Sequence, residues 1–243
     1  MSVNLEETVF YSYELNREQK IFFLYDKTIG VKNMDCNLLF VQDGEDYLEL
    51  GNLKEQFEDL LKIDRELFEK IVMILVPPGT SHERYQFYHS EGERHHDYQR
   101  FFSKELLPKA QEFFEQNGKR LQRKGMLGDS LGASVSLSIA LQYPLQWTHI
   151  LLQSAAVTET LIKQVKEKDL SSWHVYQVYG KHEDGFQSQI SKKTLNITSS
   201  NRKLADAFLN AKANLTYFEE DERHLWSFWK RDLKRALTYF AEK

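Results

Sequence analysis

One cysteine, four prolines and eleven glycines in 243 residues leave the chain little redox chemistry and few places where its path must turn. The lone thiol, Cys36, excludes an internal disulfide framework and any zinc site built of thiolates alone. It precedes a short apolar run and reads as a small core residue rather than a nucleophile. Long hydrophobic runs are missing: none approaches the roughly 18 residues of a membrane-spanning helix, and no membrane partner is expected. The segment Met1 to Thr8 holds Glu6 and Glu7 and no apolar stretch of the signal-peptide kind, so the expected location is the cytoplasm. Asn196-Ile197-Thr198 and Asn214-Leu215-Thr216 match a glycosylation pattern and on that expectation are coincidental. An excess of one charge is missing too: 32 basic and 36 acidic residues give a net charge of −4, which makes no electrostatic case for a nucleic-acid partner. No phosphate-binding loop or dinucleotide fingerprint occurs, so no cofactor is expected. The adjacent His95 and His96 lack the i,i+4 spacing of helical metal ligands, so no metal is expected.

What the chain does have is an ordinary globular composition, 41% hydrophobic and 28% charged. At roughly 150 residues per domain its length corresponds to about 1.6 domains. A chain of this size buries about 70–75% of its unfolded surface. With no repeat, low-complexity tract or Gly/Ser linker, residues 1–243 are expected to form a single domain. Periodicity predicts strands at Thr8–Leu15, Lys20–Tyr25, Asn37–Val41 and Ile71–Val76, a minimal strand at Met126-Leu127, and strands at His149–Gln153, Val175–Tyr179 and Leu215–Phe218. Helices are predicted at Leu53–Phe68, Ser103–Phe114, Leu131–Tyr143, Asn201–Ala211 and Leu225–Ala241. The stretch from Thr80 to Tyr98 carries His82, Arg84, Tyr85, Tyr88, His89, Arg94, His95 and His96. It is expected to be a long functional loop, with Arg84 a candidate contact for an anionic substrate. Strands alternating with helices argue for an α/β fold with a mostly parallel sheet. Ligands bind such sheets at the carboxyl ends of the strands, so the loops after Val41, Val76, Leu127, Tyr179 and Phe218 should share one rim.

Gly128-Asp129-Ser130-Leu131-Gly132 fits G-x-S-x-G and lies between a strand and a helix of small residues. The pattern sets a serine on a sharp turn where side chains two before and two after it would collide, and it aims the helix N-terminus at the hydroxyl. The plainer alternative is a glycine-rich turn with a serine cap. A serine nucleophile needs a base, and on this elbow the chain order is Ser, acid, His. His82, His89, His95 and His96 precede Ser130, His149 and His174 belong to strands, and His182 sits on the loop where the acid is expected. His224 remains, between a strand and the last helix. The acid should follow Val175–Tyr179, where Glu183 or Asp184 could hold the imidazole in the required tautomer; Glu183 is preferred. The run Glu219–Glu222 reads as a solvated turn.

These residues resemble those of the esterase D-type branch of the α/β-hydrolases, which includes enterobactin-type siderophore esterases, S-formylglutathione hydrolases and mycolyltransferase antigens. The likeness runs along nearly the whole chain. It comprises Tyr11-Ser12 with Leu15-Asn16-Arg17-Glu18, Val41-Gln42-Asp43-Gly44, Glu105-Leu106-Leu107-Pro108, the elbow, Gln153-Ser154-Ala155 and, most specifically, His224-Leu225-Trp226-Ser227-Phe228-Trp229. Two stretches depart from the pattern: Arg123-Lys124-Gly125 ahead of the elbow, and Pro77-Pro78 after Val76. The resemblance implies an α/β-hydrolase fold, with a mostly parallel central sheet, helices on both faces and no large cap domain. It implies Ser130 as nucleophile, His224 as base, and the backbone N–H groups of Leu131 and Glu45 as the oxyanion hole. Trp226 and Trp229 would wall an acyl or alcohol pocket, or pack the last helix. The activity it implies is a serine carboxylesterase acting on a small-molecule ester or thioester, siderophore esters among the candidates. The alternatives are an acyltransferase using the same site and a non-catalytic binding module on a hydrolase fold, the latter disfavoured by the complete Ser/acid/His set.

Overall fold

The strands at the middle of this protein are apolar on both faces because helices cover both. Leu38 and Phe40 pack into one core and Leu39 and Val41 into the other, and all four are fully buried. That is why Asn37–Val41 reads as a continuous apolar run rather than an alternating one. The computed structural model describes residues 3–30, 35–188 and 192–243. Its strands are β1 (Val3–Ser12), β2 (Arg17–Asp26), β3 (Asp35–Gln42), β4 (Ile71–Val76), β5 (Arg120–Asp129), β6 (His149–Gln153), β7 (His174–Gly180), β8 (Asp184–Gln187), β9 (Thr194–Asn196) and β10 (Asn214–Glu220). Eight of them form one sheet in the order β1-β2-β4-β3-β5-β6-β7-β10, and β8 and β9 make a separate antiparallel hairpin. Within the large sheet the β1–β2 and β2–β4 pairs are antiparallel, and every other pair is parallel.

The helices are α1 (Gly44–Glu49), α2 (Leu53–Ile63), α3 (Arg65–Phe68), α4 (Ser81–Tyr88), α5 (His95–Arg100), α6 (Leu107–Gln116), α7 (Ser130–Gln142), α8 (Glu159–Lys166), α9 (Ile197–Asn210) and α10 (Trp226–Glu242). Leu53 and Phe57 of α2 and Leu233 and Phe240 of α10 fill one core; Val135 of α7, Val165 of α8 and Phe208 of α9 fill the other. The architecture is the expected one of a mostly parallel sheet between two helical layers. No described helix is long and apolar enough to cross a membrane.

Several expectations need correction, three of them in particular. The first concerns the stretch from Thr80 to Tyr98, which is mostly helical rather than a long loop. Thr80 and Glu83 form a capping box: the Thr80 hydroxyl accepts from the Glu83 N–H at 3.2 Å, and the Glu83 carboxylate accepts from the Thr80 N–H at 2.8 Å. Phe87, Tyr88 and Tyr98 are buried, so the polar composition hid an aromatic anchor.

The strand before the elbow is ten residues long, not two. Its basic first half pairs with β3, and Arg123 donates to the carbonyls of Phe240 and Ala241 at the end of α10. Burial lowers the pKa of both Arg123 and Lys124, so these cations are part of the packed structure.

Last, the helix expected at Ser103–Phe114 is a wider-wound turn over Phe101–Leu106 followed by α6, with Pro108 in its first turn. Glu105 lies in the wide turn and ties down the β1–β2 connection, accepting from the Ser12 hydroxyl at 2.5 Å and the Tyr13 N–H at 2.9 Å.

Candidate active site

Three neighbouring parallel strands, β3, β5 and β6, are each followed at once by a non-glycine residue with a left-handed backbone: Asp43 (φ 52°), Ser130 (φ 49°) and Ser154 (φ 47°). For an L-residue this conformation costs roughly 1–2 kcal/mol, and its clustering makes this rim the candidate site. At Ser130 the turn is possible because of the glycines around it. A Cβ on Gly128 would stand 2.4 Å from the Gly132 carbonyl carbon, and one on Gly132 would stand 2.5 Å from Asp43 Oδ2.

The Ser130 hydroxyl so presented lies 2.8 Å from His224 Nε2. His224 comes from the turn between β10 and α10 and is 8% exposed. Its ring sits between Phe186 of β8, with centroids 4.4 Å apart, and Trp229 of α10, at 4.9 Å. On the far side of the ring, His224 Nδ1 is 3.7 Å from Glu183 Oε2. That exceeds a hydrogen bond, and among the described residues neither buried atom has another hydrogen-bond partner. Contacts of this kind commonly tighten only when a substrate is bound. The structure thus brings together Ser130, His224 and Glu183. Asp184 is turned away: its carboxylate accepts from the N–H of Ser199 at 3.0 Å and from the Ser199 hydroxyl, in the first turn of α9.

Leu131 and Glu45 are the second residues of α7 and α1, and first-turn N–H groups have no partner inside their own helix. Both helix N-termini therefore offer unspent donors and a positive dipole end to the rim. The Glu45 side chain is elsewhere, paired with Lys20, whose pKa it raises. Trp226 is half-buried, edge-on to Tyr47 at 5.1 Å and to Trp229 at 5.2 Å, and packs α10 against α1.

Arg84 is not among the groups at the serine hydroxyl. Its guanidinium grips Asp43 with Nε at 2.7 Å and Nη2 at 2.8 Å, and Nη2 stands 3.8 Å from Asp129. Burial by itself would lower the Arg84 pKa, but the charge of Asp43 and its hydrogen bonds to the guanidinium outweigh it and keep the group charged. Asp129, buried and next to Asp43, has its pKa pushed well above the carboxylate range.

Four other histidines have partners within the fold. His95 is buried against the Phe87 carbonyl at 2.9 Å, His182 bonds Asp221 at 2.6 Å, and His149 stacks on His174. No group of His, Cys, Asp or Glu able to hold a metal ion occurs among the described residues.

Beside the elbow a cleft of about 860 Å³ opens between Leu131, Ser134 and Ala156 on one side and Tyr88, His89 and His96 on the other. Burial lowers the pKa of both His89 and His95. Sequence reasoning gave no role to Ser154, Phe186 or Asp43. Ser154 and Asp43 fall in quoted motifs, whereas nothing local marks Phe186.

A family model described as "Putative esterase" matches residues 12–240. The Bacillus subtilis (strain 168) protein named "Uncharacterized protein YjcH" is 31% identical over 234 residues, 96% of this chain and 95% of that one. Among solved structures, a ferulic acid esterase superposes with a TM-score of 0.78 at 16% identity, over 99% of this chain and 98% of its own. The enterobactin esterase from Shigella flexneri, solved with 2,3-dihydroxy-N-benzoyl-glycine, gives 0.74 at 17% identity over 98% of this chain and 59% of that one. The S-formylglutathione hydrolase from Staphylococcus aureus gives 0.68 at 12% identity over 99% and 97%. At such identities these likenesses speak for the fold, which is that of the α/β-hydrolases.

Proposed function

The chain belongs to the "Putative esterase" family and is an ester-hydrolysing enzyme, and on that premise we propose that it works as a serine carboxylesterase through an acyl-enzyme on a small ester or thioester. One observation carries the reading: a serine hydroxyl on a left-handed elbow, 2.8 Å from a histidine nitrogen whose other nitrogen faces a buried carboxylate.

Ser130 Oγ attacks the carbonyl carbon as its proton passes to His224 Nε2, and the carbonyl electron pair moves to oxygen. The Leu131 and Glu45 N–H groups hold that oxyanion; a donor so placed is worth about 3–4 kcal/mol in comparable enzymes. Glu183 stabilises the imidazolium and keeps its tautomer. Collapse expels the alcohol or thiol, which takes the proton from His224. Water, deprotonated by His224 in turn, then releases the acid and restores Ser130. The cleft beside Leu131 and Ala156 gives the departing group or the acyl chain a place to lie.

The test is a fluorophosphonate probe together with a panel of p-nitrophenyl esters, thioesters and a catecholate trilactone. Ser130→Ala should lose labelling and slow turnover by roughly 10⁴- to 10⁶-fold. Labelling of another residue with turnover kept by the variant would overturn the reading, and the panel ranks the substrate classes.

A further inference from the structure

We propose that Ser154 is a positioning residue that sets the Glu183 carboxylate toward His224, and that Trp229 is what fixes Ser154. This rests on the reading of Glu183 as the acid of the site. Ser154 is fully buried and left-handed at the end of β6. Its Oγ lies 2.9 Å from the Trp229 indole nitrogen and 2.7 Å from Glu183 Oε1. The directions follow from the donor inventory: an indole N–H can only donate, so Ser154 Oγ accepts from it and has its own hydrogen left for the carboxylate. Glu183 Oε1 is thereby occupied, and Oε2 is the oxygen left to face His224 Nδ1.

The backbone of Glu183 is held independently. Its N–H donates to Thr198 Oγ1 at 3.1 Å, and that hydroxyl donates to the Gly180 carbonyl at 2.6 Å. Backbone and carboxylate are therefore pinned by different residues, and among the described residues Ser154 is the hydrogen-bond partner of the carboxylate. The Trp229 ring also meets the His224 ring edge-on, so one indole locates both the base and, through Ser154, the acid. A side chain that packs α10 also sets the distance between two groups on different loops.

The experiment is a pair of double-mutant cycles read as kcat and KM. Ser154→Gly suits the left-handed backbone and removes only the hydroxymethyl group. It should lower kcat roughly 10- to 100-fold, the loss of one hydrogen bond to a charged group, with KM within about twofold. In a Glu183→Gln background the same change should cost nothing further, because the group it positions no longer carries charge. Trp229→Phe keeps an aromatic side chain, smaller than the indole, and loses the donor; it should lower kcat several-fold, and not at all when Ser154 is already glycine. Ser154→Ala loses the same hydroxyl but keeps a Cβ, and so separates the loss of the hydroxyl from a change in backbone freedom.

If Glu183→Gln collapses kcat while Ser154→Gly and Ser154→Ala turn over normally, the positioning role fails and the acid stands. If Glu183→Gln itself turns over normally, the reading of Glu183 fails. Full additivity of Ser154→Gly with Glu183→Gln also overturns the proposal.

Discussion

Arg84 closes two bonds on Asp43, at 2.7 and 2.8 Å, from a helix that has no strand of the sheet as its neighbour in sequence on its C-terminal side. Asp43 immediately precedes Gly44-Glu45, and Asp129, 3.8 Å from the same guanidinium, immediately precedes Ser130-Leu131. One cation from α4 thus sits between the ends of β3 and β5, the two strands that deliver the proposed oxyanion donors. The sequence suggests a substrate contact for Arg84; its geometry instead suits a brace behind the rim.

Arg84→Lys retains the charge but not the two-pronged geometry. We expect kcat to fall roughly tenfold with KM within about twofold, and the melting temperature to fall by several degrees. Steady-state kinetics and calorimetry check this. A raised KM with kcat intact would instead make Arg84 a substrate contact.

Glu183 and Asp184 are adjacent but differently engaged, the first facing His224 and the second bound to Ser199. Glu183→Gln should cut kcat about 10³- to 10⁴-fold, by analogy with other triads. Asp184→Asn should leave kcat within about twofold and cost only a helix-cap contact, about 1 kcal/mol. Single-turnover rates of both variants decide; the reverse pattern would move the acid to Asp184.

Gly128→Ala should not give a folded esterase. The added methyl would meet backbone on α7 at 2.4 Å, where no side chain can move aside. The cost expected is about 3 kcal/mol or more, seen as insolubility or a broad, early melt. A soluble variant melting like the parent would show that the elbow is more yielding than these contacts imply.

Burial, with His174 stacked against it, pulls the His149 pKa down to about 3. An unfolded histidine titrates near ~6.5, so as pH falls the unfolded chain takes the proton first. The stabilising contribution of neutral His149 is complete above that value and is lost progressively as pH drops toward about 3. The slope is at most about 1.4 kcal/mol per pH unit. Melting temperature measured from about pH 7 to pH 4 should fall less steeply in His149→Phe than in the parent. Parallel curves would assign acid sensitivity to other groups.

The elbow and His224 were legible because each depends on short-range facts: small residues around a serine, and the order of a few histidines along the chain. The core strands were legible because they are apolar on both faces. What stayed hidden depends on partners distant in sequence. The Arg120–Lys124 half of β5 looks like a loop until α10 supplies Phe240 and Ala241 carbonyls for Arg123. Helix α4 announces itself only through the Thr80–Glu83 box, which the surrounding histidines and arginines obscured. Ser154 lies in the Gln153-Ser154-Ala155 motif, yet the role proposed for it depends on Trp229, 75 residues later, and Glu183, 29 residues later. The split of Leu53–Phe68 into α2 and α3 turns on Asp64, whose side chain accepts from the Leu67 N–H at 3.1 Å and starts a new helix.

The left-handed serine at the tip of β5 sets durability against turnover. Glycine there would release roughly 1–2 kcal/mol of backbone strain and leave a hardier protein with nothing to attack a carbonyl. A population screened only for surviving heat would drift toward that residue. One screened for turnover must keep serine and recover robustness at left-handed positions that touch no reacting atom. Lys212 (φ 63°) is such a position, and glycine there gives a way to toughen the enzyme while the rim is left alone.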